Sequence, residues 1–179
     1  MEFIDDREKI IEDHIKEEEE IEKVQLSSVK QKVWEFLIKE KHFKLEEIEI
    51  SPEFKIDLKD KYIKVHIDFL INLNSLSFMV IHCTTGTFES WERYITSFAS
   101  VVKDYLIPFA VVTDGESAKI IDVVEGKIIG KSLKEIYNRD EALNIMNDFK
   151  KIPCPSNRLE KGKRIVYAFE GIKCPTGKK

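Results

Sequence analysis

An apolar segment near the middle of the chain, YIKVHIDFLINL, contains one carboxylate, Asp68, and one imidazole two residues before it, His66. Fourteen residues after Asp68, the next apolar segment ends with His82, Cys83 and Thr84. Successive side chains of a β-strand point to opposite faces, so we expect His66 and Asp68 to share one face, and His82 and Thr84 another. If the two segments pair as a hairpin, one carboxylate, two imidazoles and a hydroxyl meet in one patch.

Three kinds of chemistry fit a patch of this composition. The simplest is a set of polar side chains satisfied by hydrogen bonds at the surface of a sheet. A second is a metal site in which Asp68, His66 and His82 bind Zn²⁺, Mn²⁺ or Fe²⁺ as two imidazoles and one carboxylate. The third is a hydrolytic site in which Asp68 holds Mg²⁺ or Mn²⁺ together with a second acid from another element. The candidates for that second acid are Glu35, Glu40 and Glu89.

The N-terminal part of the chain has the apolar spacing of helices. Residues 3–24 predict an amphipathic helix with a strongly acidic exposed face. Ser27 or Ser28 has the residue type of an N-cap, so we predict that a second helix starts there. The apolar stripe of that helix consists of Val29, Val33, Phe36 and Leu37. We therefore expect an appended acidic helix over residues 1–26 and a separate domain over residues 27–179.

The segments that follow have the pattern of strands interrupted by helices. Pro52 cannot donate a hydrogen bond to a neighbouring strand, so residues 46–57 predict an edge strand. Residues 63–73 alternate without a break and predict one long strand, and residues 76–83 predict a buried central strand. Further along we expect a helix at 87–106, a strand at 108–114, a hairpin of AKIIDVV and KIIG, and helices near 132–137, 139–151 and 157–173. The core order α-β-β-β-α-β predicts an α/β fold with a mixed β-sheet flanked by helices.

The composition excludes several classes of protein. With 179 residues, of which 42% are hydrophobic and 35% charged, the chain is typical of one soluble globular domain. No apolar run approaches the roughly 18 residues of a membrane span, and the acidic N-terminus is unlike a signal peptide. Three cysteines without CxxC spacing predict a reduced, cytoplasmic protein.

Charge is distributed unevenly, although the net charge is only −4. Residues 1–23 hold 11 acids and 4 bases, whereas residues 150–179 hold 9 bases and 2 acids. The basic end contains Lys161, Lys163 and Arg164, and such residues give sequence-independent affinity for DNA phosphates. The basic end is therefore interpreted as a solvated surface, as a contact with DNA, or as a partner for the acidic helix of a second copy.

Several stretches resemble a known family when they are taken together and in order: FLIKEKHF, HIDFLI, FMVIHCTTG, PFAVVTDGESAKIIDVVEGKIIGKSLKEI and RLEKGKRIVYAFEGIKC. They are similar to the N-terminal nuclease domain of type I restriction enzyme R subunits, and closest to its short stand-alone relatives. The resemblance runs from about residue 28 to residue 174. It implies a restriction-endonuclease-like αβββαβ core of the PD-(D/E)xK superfamily, with DNA and other restriction-modification subunits as partners.

The resemblance also implies roles for individual residues. The acid that binds the divalent ion corresponds to Asp68, and the Glu-x-Lys of active members falls on His82 and Thr84, which do not match. A Gln-x-x-x-Tyr of the following helix falls on Ser90 and Tyr94, of which only the tyrosine matches. An acid of the first helix corresponds to Glu35 or Glu40.

These departures favour a degenerate nuclease domain that binds DNA or a restriction-system partner without cleaving DNA. An active Mg²⁺- or Mn²⁺-dependent endonuclease that uses Asp68 remains as one alternative. The other is an oligomerisation module in which the acidic helix pairs with the basic end of a second copy.

Overall fold

The computed structural model describes the backbone of residues 2–173 and the side chains of residues 8–170. The chain starts with one long helix, α1 (Glu2–Lys39), which is followed by a short 3-10 turn at Leu45–Glu47. Five strands come next: β1 (Ile48–Ile50), β2 (Glu53–Asp57), β3 (Tyr62–His66), β4 (Phe69–Leu73) and β5 (Leu76–Cys83). They are followed by α2 (Phe88–Val101), β6 (Phe109–Thr113), β7 (Ser117–Asp122), β8 (Lys127–Ser132), a 3-10 turn at Leu133–Glu135, α3 (Arg139–Asn147) and α4 (Ser156–Lys173).

Six of the strands form one mixed sheet in the order β1-β4-β5-β6-β7-β8. The neighbouring strands are antiparallel except for β5 and β6, which are parallel and are joined through α2. Strands β2 and β3 form a separate antiparallel hairpin. This confirms the predicted α/β class, and the arrangement is consistent with a restriction-endonuclease-like fold.

Helices cover both faces of the sheet, so the protein has two apolar layers. On one face α1 buries Val33 and Leu37, and α3 buries Ala142 and Met146. On the other face α2 buries the side chains of Ile95 and Phe98, and α4 contributes Val166. The β2–β3 hairpin packs on this second layer, where Phe54 and Phe98 meet edge to face with ring centroids 5.6 Å apart.

The N-terminal helix differs from the prediction. Helix α1 is continuous from Glu2 to Lys39, so the predicted second start at Ser27 or Ser28 is wrong. The physical reason is that this stretch contains no Gly or Pro and consists largely of good helix formers, so two serines do not interrupt it. Every residue from 8 to 25 is exposed, and packing begins near Leu26. The division into an appended segment and a domain stays a prediction.

The predicted long strand at residues 63–73 is also wrong, because it is two strands in two different sheets. Strand β3 pairs with β2, and after Ile67 and Asp68 the chain enters the main sheet as β4. The inward-facing side chains change from one apolar layer to the other at this junction. Val65 and Ile67 lie in the layer of α2, whereas Phe69, Ile71 and Leu73 lie in the layer of α1. A period-two pattern continues through such a junction, so the sequence did not reveal the break.

Most of the remaining elements agree with their predictions in type and differ in extent. The segment predicted as one edge strand at 46–57 is divided by Ser51, which has a φ of 49°, and by Pro52. Strand β1 is an edge of the sheet, as predicted. The helix predicted at 87–106 ends at Val101, and that predicted at 132–137 is a 3-10 turn. Within residues 2–173, no helix is both long and apolar enough to cross a membrane.

Candidate functional site

Asp68 lies where the hairpin passes into the main sheet. Strands β4 and β5 pair with Phe69 opposite Ile81, so the antiparallel register places Asp68 one step further, opposite His82. Nδ1 of His82 is 3.1 Å from Oδ2 of Asp68. The side chains of both residues are nearly buried, with 10% of His82 and 12% of Asp68 exposed. The structure thus brings together the acid and one of the two imidazoles that the sequence singled out.

A lysine from α1 completes this pair. Nζ of Lys30 is 2.8 Å from Oδ1 of Asp68, and the backbone N–H of Cys83 donates to Oδ2 at 2.7 Å. Both carboxylate oxygens therefore have cationic or N–H partners. Burial opposes ionisation of Asp68, but the hydrogen bond and charge of His82, the ammonium of Lys30 and the N–H of Cys83 together lower its pKa from 3.8 to about 2. Asp68 is an ionised carboxylate at neutral pH.

Aromatic side chains of α2 cover His82. The ring of Trp91 lies 4.4 Å from the imidazole and that of Tyr94 lies 5.8 Å from it, measured between centroids. The Tyr94 hydroxyl donates to Oε1 of Glu170 at 2.9 Å. Burial, together with the charges of Glu170 and Asp68, raises the pKa of the Tyr94 hydroxyl far above its usual value. Tyr94 is therefore a neutral hydrogen-bond donor beside a carboxylate of α4.

Thr84 and Cys83 take structural positions. The backbone N–H of Thr84 donates to the carbonyl of Thr113, and its hydroxyl accepts from the N–H of Gly86 at 3.1 Å. Thr84 thus fixes the turn after β5. The Cys83 side chain lies in the apolar layer under α1, and burial raises the pKa of its thiol. It points away from His82, as the alternation predicts.

The predicted acids of α1 are not among the contacts that the structure describes for Asp68. Glu35 pairs with Lys39 at 2.8 Å and accepts a hydrogen bond from Gln31, and these contacts hold the pKa of Glu35 below its usual value. Glu40 is exposed at the end of the same helix. Glu89 is exposed too, and lines a groove between α2 and α4.

The predicted three-residue metal set is not assembled. His66 is in the hairpin, its side chain is 54% exposed, and its Nε2 lies 3.3 Å from Oε2 of Glu53. The break between β3 and β4 is the reason, because His66 ends a strand of the separate hairpin, whereas Asp68 follows the break and directly precedes β4 of the main sheet. Among the side chains of residues 8–170, no group of three or more His, Cys, Asp or Glu residues is arranged to hold a metal ion.

The donors around Asp68 also do not fit Mg²⁺ or Mn²⁺. These ions take several oxygen ligands, usually with at least two from carboxylates at such sites. Among the side chains of residues 8–170, the contacts described for Asp68 include no second carboxylate, and the ammonium of Lys30 already lies against it. A divalent ion would have to displace that lysine or remain beside it.

Lys30 and Glu170 were not singled out from the sequence. Both come from helices that are distant in the sequence from Asp68, and local patterns do not specify how those helices dock. A weak signal was present, because Lys30 precedes the buried Val33 by three residues and Glu170 follows the buried Val166 by four. A charged residue in register with an apolar stripe indicates a partner at the inner face of a helix.

The residues predicted to contact DNA divide between two grooves. Lys163 and Arg164 line a groove of about 640 Å³ between α4 and the connection of β2 to β3. Lys161 lies instead in the groove between α2 and α4, with Glu89 and Glu92. The first of these, which we call the hairpin groove, is lined by Asp57, Leu58, Lys59, Asp60, Lys61, Glu160, Lys163, Arg164 and Tyr167.

The fold and this site define a restriction-endonuclease-like α/β domain whose central acid lies between a lysine and a histidine. The chain matches the family described as the type I restriction enzyme R protein N terminus over residues 26–136, and it belongs to that family. The matched segment contains Lys30, Asp68, His82 and Tyr94, whereas α3 and α4 lie outside it. Searches of the curated proteins and of the solved structures found no match.

Proposed function

We propose that this domain is a degenerate PD-(D/E)xK nuclease fold that binds DNA for a restriction system without cleaving it. The observation that carries the proposal is the ion pair of Lys30 with Asp68, at 2.8 Å. An internal ammonium takes the position next to the carboxylate that a metal ion would need. The other departures from the active pattern, at His82 and Thr84, point the same way.

Electrostatics supports this interpretation. A divalent cation and an ammonium a few ångströms apart repel each other, on the order of several kcal/mol at the effective dielectric of a protein surface. One carboxylate offsets only part of that repulsion. The low pKa of Asp68 keeps its charge in place, so the ion pair with Lys30 persists throughout the neutral range.

The hairpin groove is the surface that we assign to DNA. Lys163 and Arg164 on α4 face Lys59 and Lys61 across it. Cations on two opposite walls suit the phosphate backbone of a nucleic acid, which supplies most of the non-specific affinity. Tyr167 is 44% exposed in the same groove and provides a flat surface for contact with sugars or bases.

An active endonuclease is the second candidate, and one contact favours it. Lys30 supplies an ammonium near Asp68, and Thr84, directly after β5, stands in place of the lysine of active members. In that case Lys30 would have to leave Asp68 so that the carboxylate, with a second acid, could bind Mg²⁺ or Mn²⁺. The two candidates predict opposite results for Asp68 in a cleavage assay.

The test combines cleavage and binding. Supercoiled and linear DNA are incubated with Mg²⁺ or Mn²⁺ and with either the wild-type protein or Asp68→Asn, and we expect no cleavage by either protein. Cleavage that disappears in Asp68→Asn would contradict the proposal and support the second candidate.

Binding is measured by fluorescence anisotropy at several salt concentrations. Lys163→Glu combined with Arg164→Glu should weaken binding of every sequence and reduce the salt slope by about 2, because two phosphate contacts are lost. Lys131→Glu combined with Lys134→Glu changes the charge equally at exposed positions outside the hairpin groove, and serves as the control. Equal effects of the two double variants, or no binding at low salt, would contradict the assignment.

A further inference from the structure

The N-terminal half of α1 extends from the domain with apolar side chains in solvent. All residues from 8 to 25 are exposed. Five large apolar side chains in this stretch are between 48% and 70% exposed: Ile10, Ile11, Ile15, Ile21 and Val24. A single exposed apolar residue needs no explanation, but a row of them along one helix is typical of an interaction surface.

These residues and the acids form a defined face. Glu17, Glu20, Ile21 and Val24 line one shallow depression along the helix, and their spacing of three, four and seven residues places them on one side. Ile10, seven residues before Glu17, continues the same side. We call this the acidic face. The spacing of its residues is the one with which amphipathic helices bind in grooves.

The occupant of this face must be positively charged. Residues 8–23 contain eight acids and three bases, so two copies of this segment repel each other. A coiled coil of two α1 helices is therefore disfavoured. The acidic face instead requires a surface that has cations at its rim and an apolar floor.

The hairpin groove has these features. Its cations are Lys59, Lys61, Lys163 and Arg164, and they outnumber the three acids of its lining. Leu58 is partly buried and Tyr167 is partly exposed, so apolar surface is available between the charges. Lys61 already lies over the ring of Tyr167, 4.2 Å from its centroid, which orients both side chains at the groove wall.

We infer that the acidic face of α1 from one copy docks in the hairpin groove of a second copy. Glu17 and Glu20 meet Lys163 and Arg164, while Ile21 and Val24 cover Leu58 and Tyr167. A reciprocal exchange, in which each copy gives one helix and one groove, closes a dimer. The helix then occupies the surface that we assign to DNA, so self-association and DNA binding compete; this last consequence rests on the proposed function.

A charge exchange tests the docking without DNA. The mass in solution is measured by sedimentation equilibrium at low and high salt for the wild type and three variants. The helix variant carries Glu17→Lys with Glu20→Lys, and the groove variant carries Lys163→Glu with Arg164→Glu. The fourfold variant carries all four changes. We expect the wild type to have twice the monomer mass at low salt, each double variant to be monomeric, and the fourfold variant to regain the dimer because both partners have changed sign. All four positions are on helix surfaces, and far-ultraviolet circular dichroism verifies that each variant is folded.

The matched control is Glu12→Lys with Glu19→Lys. It changes the charge of the same helix by the same amount, but these residues lie on the side opposite to the acidic face. It should remain dimeric. A monomeric wild type, a groove variant that still forms dimers, or a fourfold variant that stays monomeric would each overturn the inference. If the groove variant loses DNA affinity but still forms the dimer, the docking fails and the proposed function stands. If it loses the dimer but keeps its DNA affinity, the docking stands and the assignment of DNA to this groove fails.

Discussion

At the scale of single residues, one buried carboxylate organises the site. Asp68 connects the β3–β4 junction to two elements, since it contacts Lys30 of α1, His82 of β5 and the backbone at the end of that strand. Breaking a nearly buried pair of this kind leaves an uncompensated charge, which costs much more than the loss of a surface ion pair. The same contacts that occupy the carboxylate therefore also stabilise the junction between the hairpin and the sheet.

The first residue-scale prediction concerns stability in acid. Because the pKa of Asp68 is lower in the folded protein than its ordinary value of 3.8, ionised Asp68 stabilises the fold above pH 4 or so, and this contribution is lost as the pH falls toward about 2. The lowering corresponds to about 2 kcal/mol. The free energy of unfolding of Asp68→Asn should lie below that of the wild type at neutral pH, and the difference should shrink below about pH 4.

Chemical denaturation as a function of pH measures this difference. Asp57→Asn is the control, because Asp57 is 77% exposed in its ion pair with Lys55 and such pairs contribute little. A difference between wild type and Asp68→Asn that does not change with pH would contradict the lowered pKa.

The second residue-scale prediction concerns Lys30. In Lys30→Glu, two carboxylates lie together without the ammonium, so the variant should melt at a lower temperature than the wild type in the absence of metal. Mn²⁺ should restore part of the loss, because two acids can then share a divalent ion and ligand binding stabilises the folded state. Thermal melting with and without Mn²⁺ gives the result, and Lys32→Glu, beside the exposed Glu116, provides the same charge change elsewhere. An equal response of both variants to Mn²⁺ would contradict the prediction.

The sequence predicted half of this site. Asp68 and His82 were expected to be neighbours because period-two alternation and a short turn fix the register of a hairpin. Lys30 and Glu170 were not expected at this site, because the contact of a helix with a distant strand depends on packing that no local pattern encodes. His66 was expected in the same patch but pairs with Glu53 in the hairpin, since alternation alone does not show that two successive strands belong to different sheets.

At the scale of elements, α4 fixes the second layer by close approach to α2. Gly162 is buried on α4, and a Cβ atom there would lie 2.8 Å from Cγ1 of Val101 and 3.6 Å from the carbonyl of Ser97. Helices approach this closely only where a small residue leaves room. The same helix presents Glu170 to Tyr94 and Lys163 to the hairpin groove, so its position affects both surfaces.

Gly162→Val tests this packing. The larger side chain must displace Val101, whose branched side chain has few alternative rotamers, and we expect a loss of about 1 to 3 kcal/mol in the free energy of unfolding. Ala168→Val introduces the same residue at an exposed position of the same helix and should cost well under 1 kcal/mol. Urea denaturation of the two variants provides the comparison, and equal losses would show that the close approach does not matter.

Element types were predictable from the sequence, and element boundaries were less so. The helix of residues 88–101, strand β6 and the β7–β8 hairpin follow apolar periods and turn residues that were evident in the sequence. The continuity of α1 through Ser27 and Ser28 was not evident in the sequence. A serine acts as a cap only where the neighbouring residues favour a helix end. The chain there contains no such break.

At the scale of the whole molecule, the domain has an acidic extension and a basic groove at separate places. The family match ends at residue 136, whereas the hairpin groove also depends on α4. Charge separation of this kind acts over about 10 Å at moderate salt, so it favours association with anionic or oppositely charged partners more at low salt than at high salt. Both the DNA assignment and the docking of α1 share this dependence, which is why the charge-exchange variants are needed to separate them.

The central claim is that Lys30 replaces a metal ion beside Asp68, and a titration with Mn²⁺ tests it most directly. Isothermal calorimetry is performed on the wild type and on Asp68→Asn, together with a plasmid cleavage assay on the same samples. The account predicts no heat that depends on Asp68 and no cleavage by either protein. A Mn²⁺ site in the wild type that disappears in Asp68→Asn together with cleavage would contradict the account and establish an active nuclease.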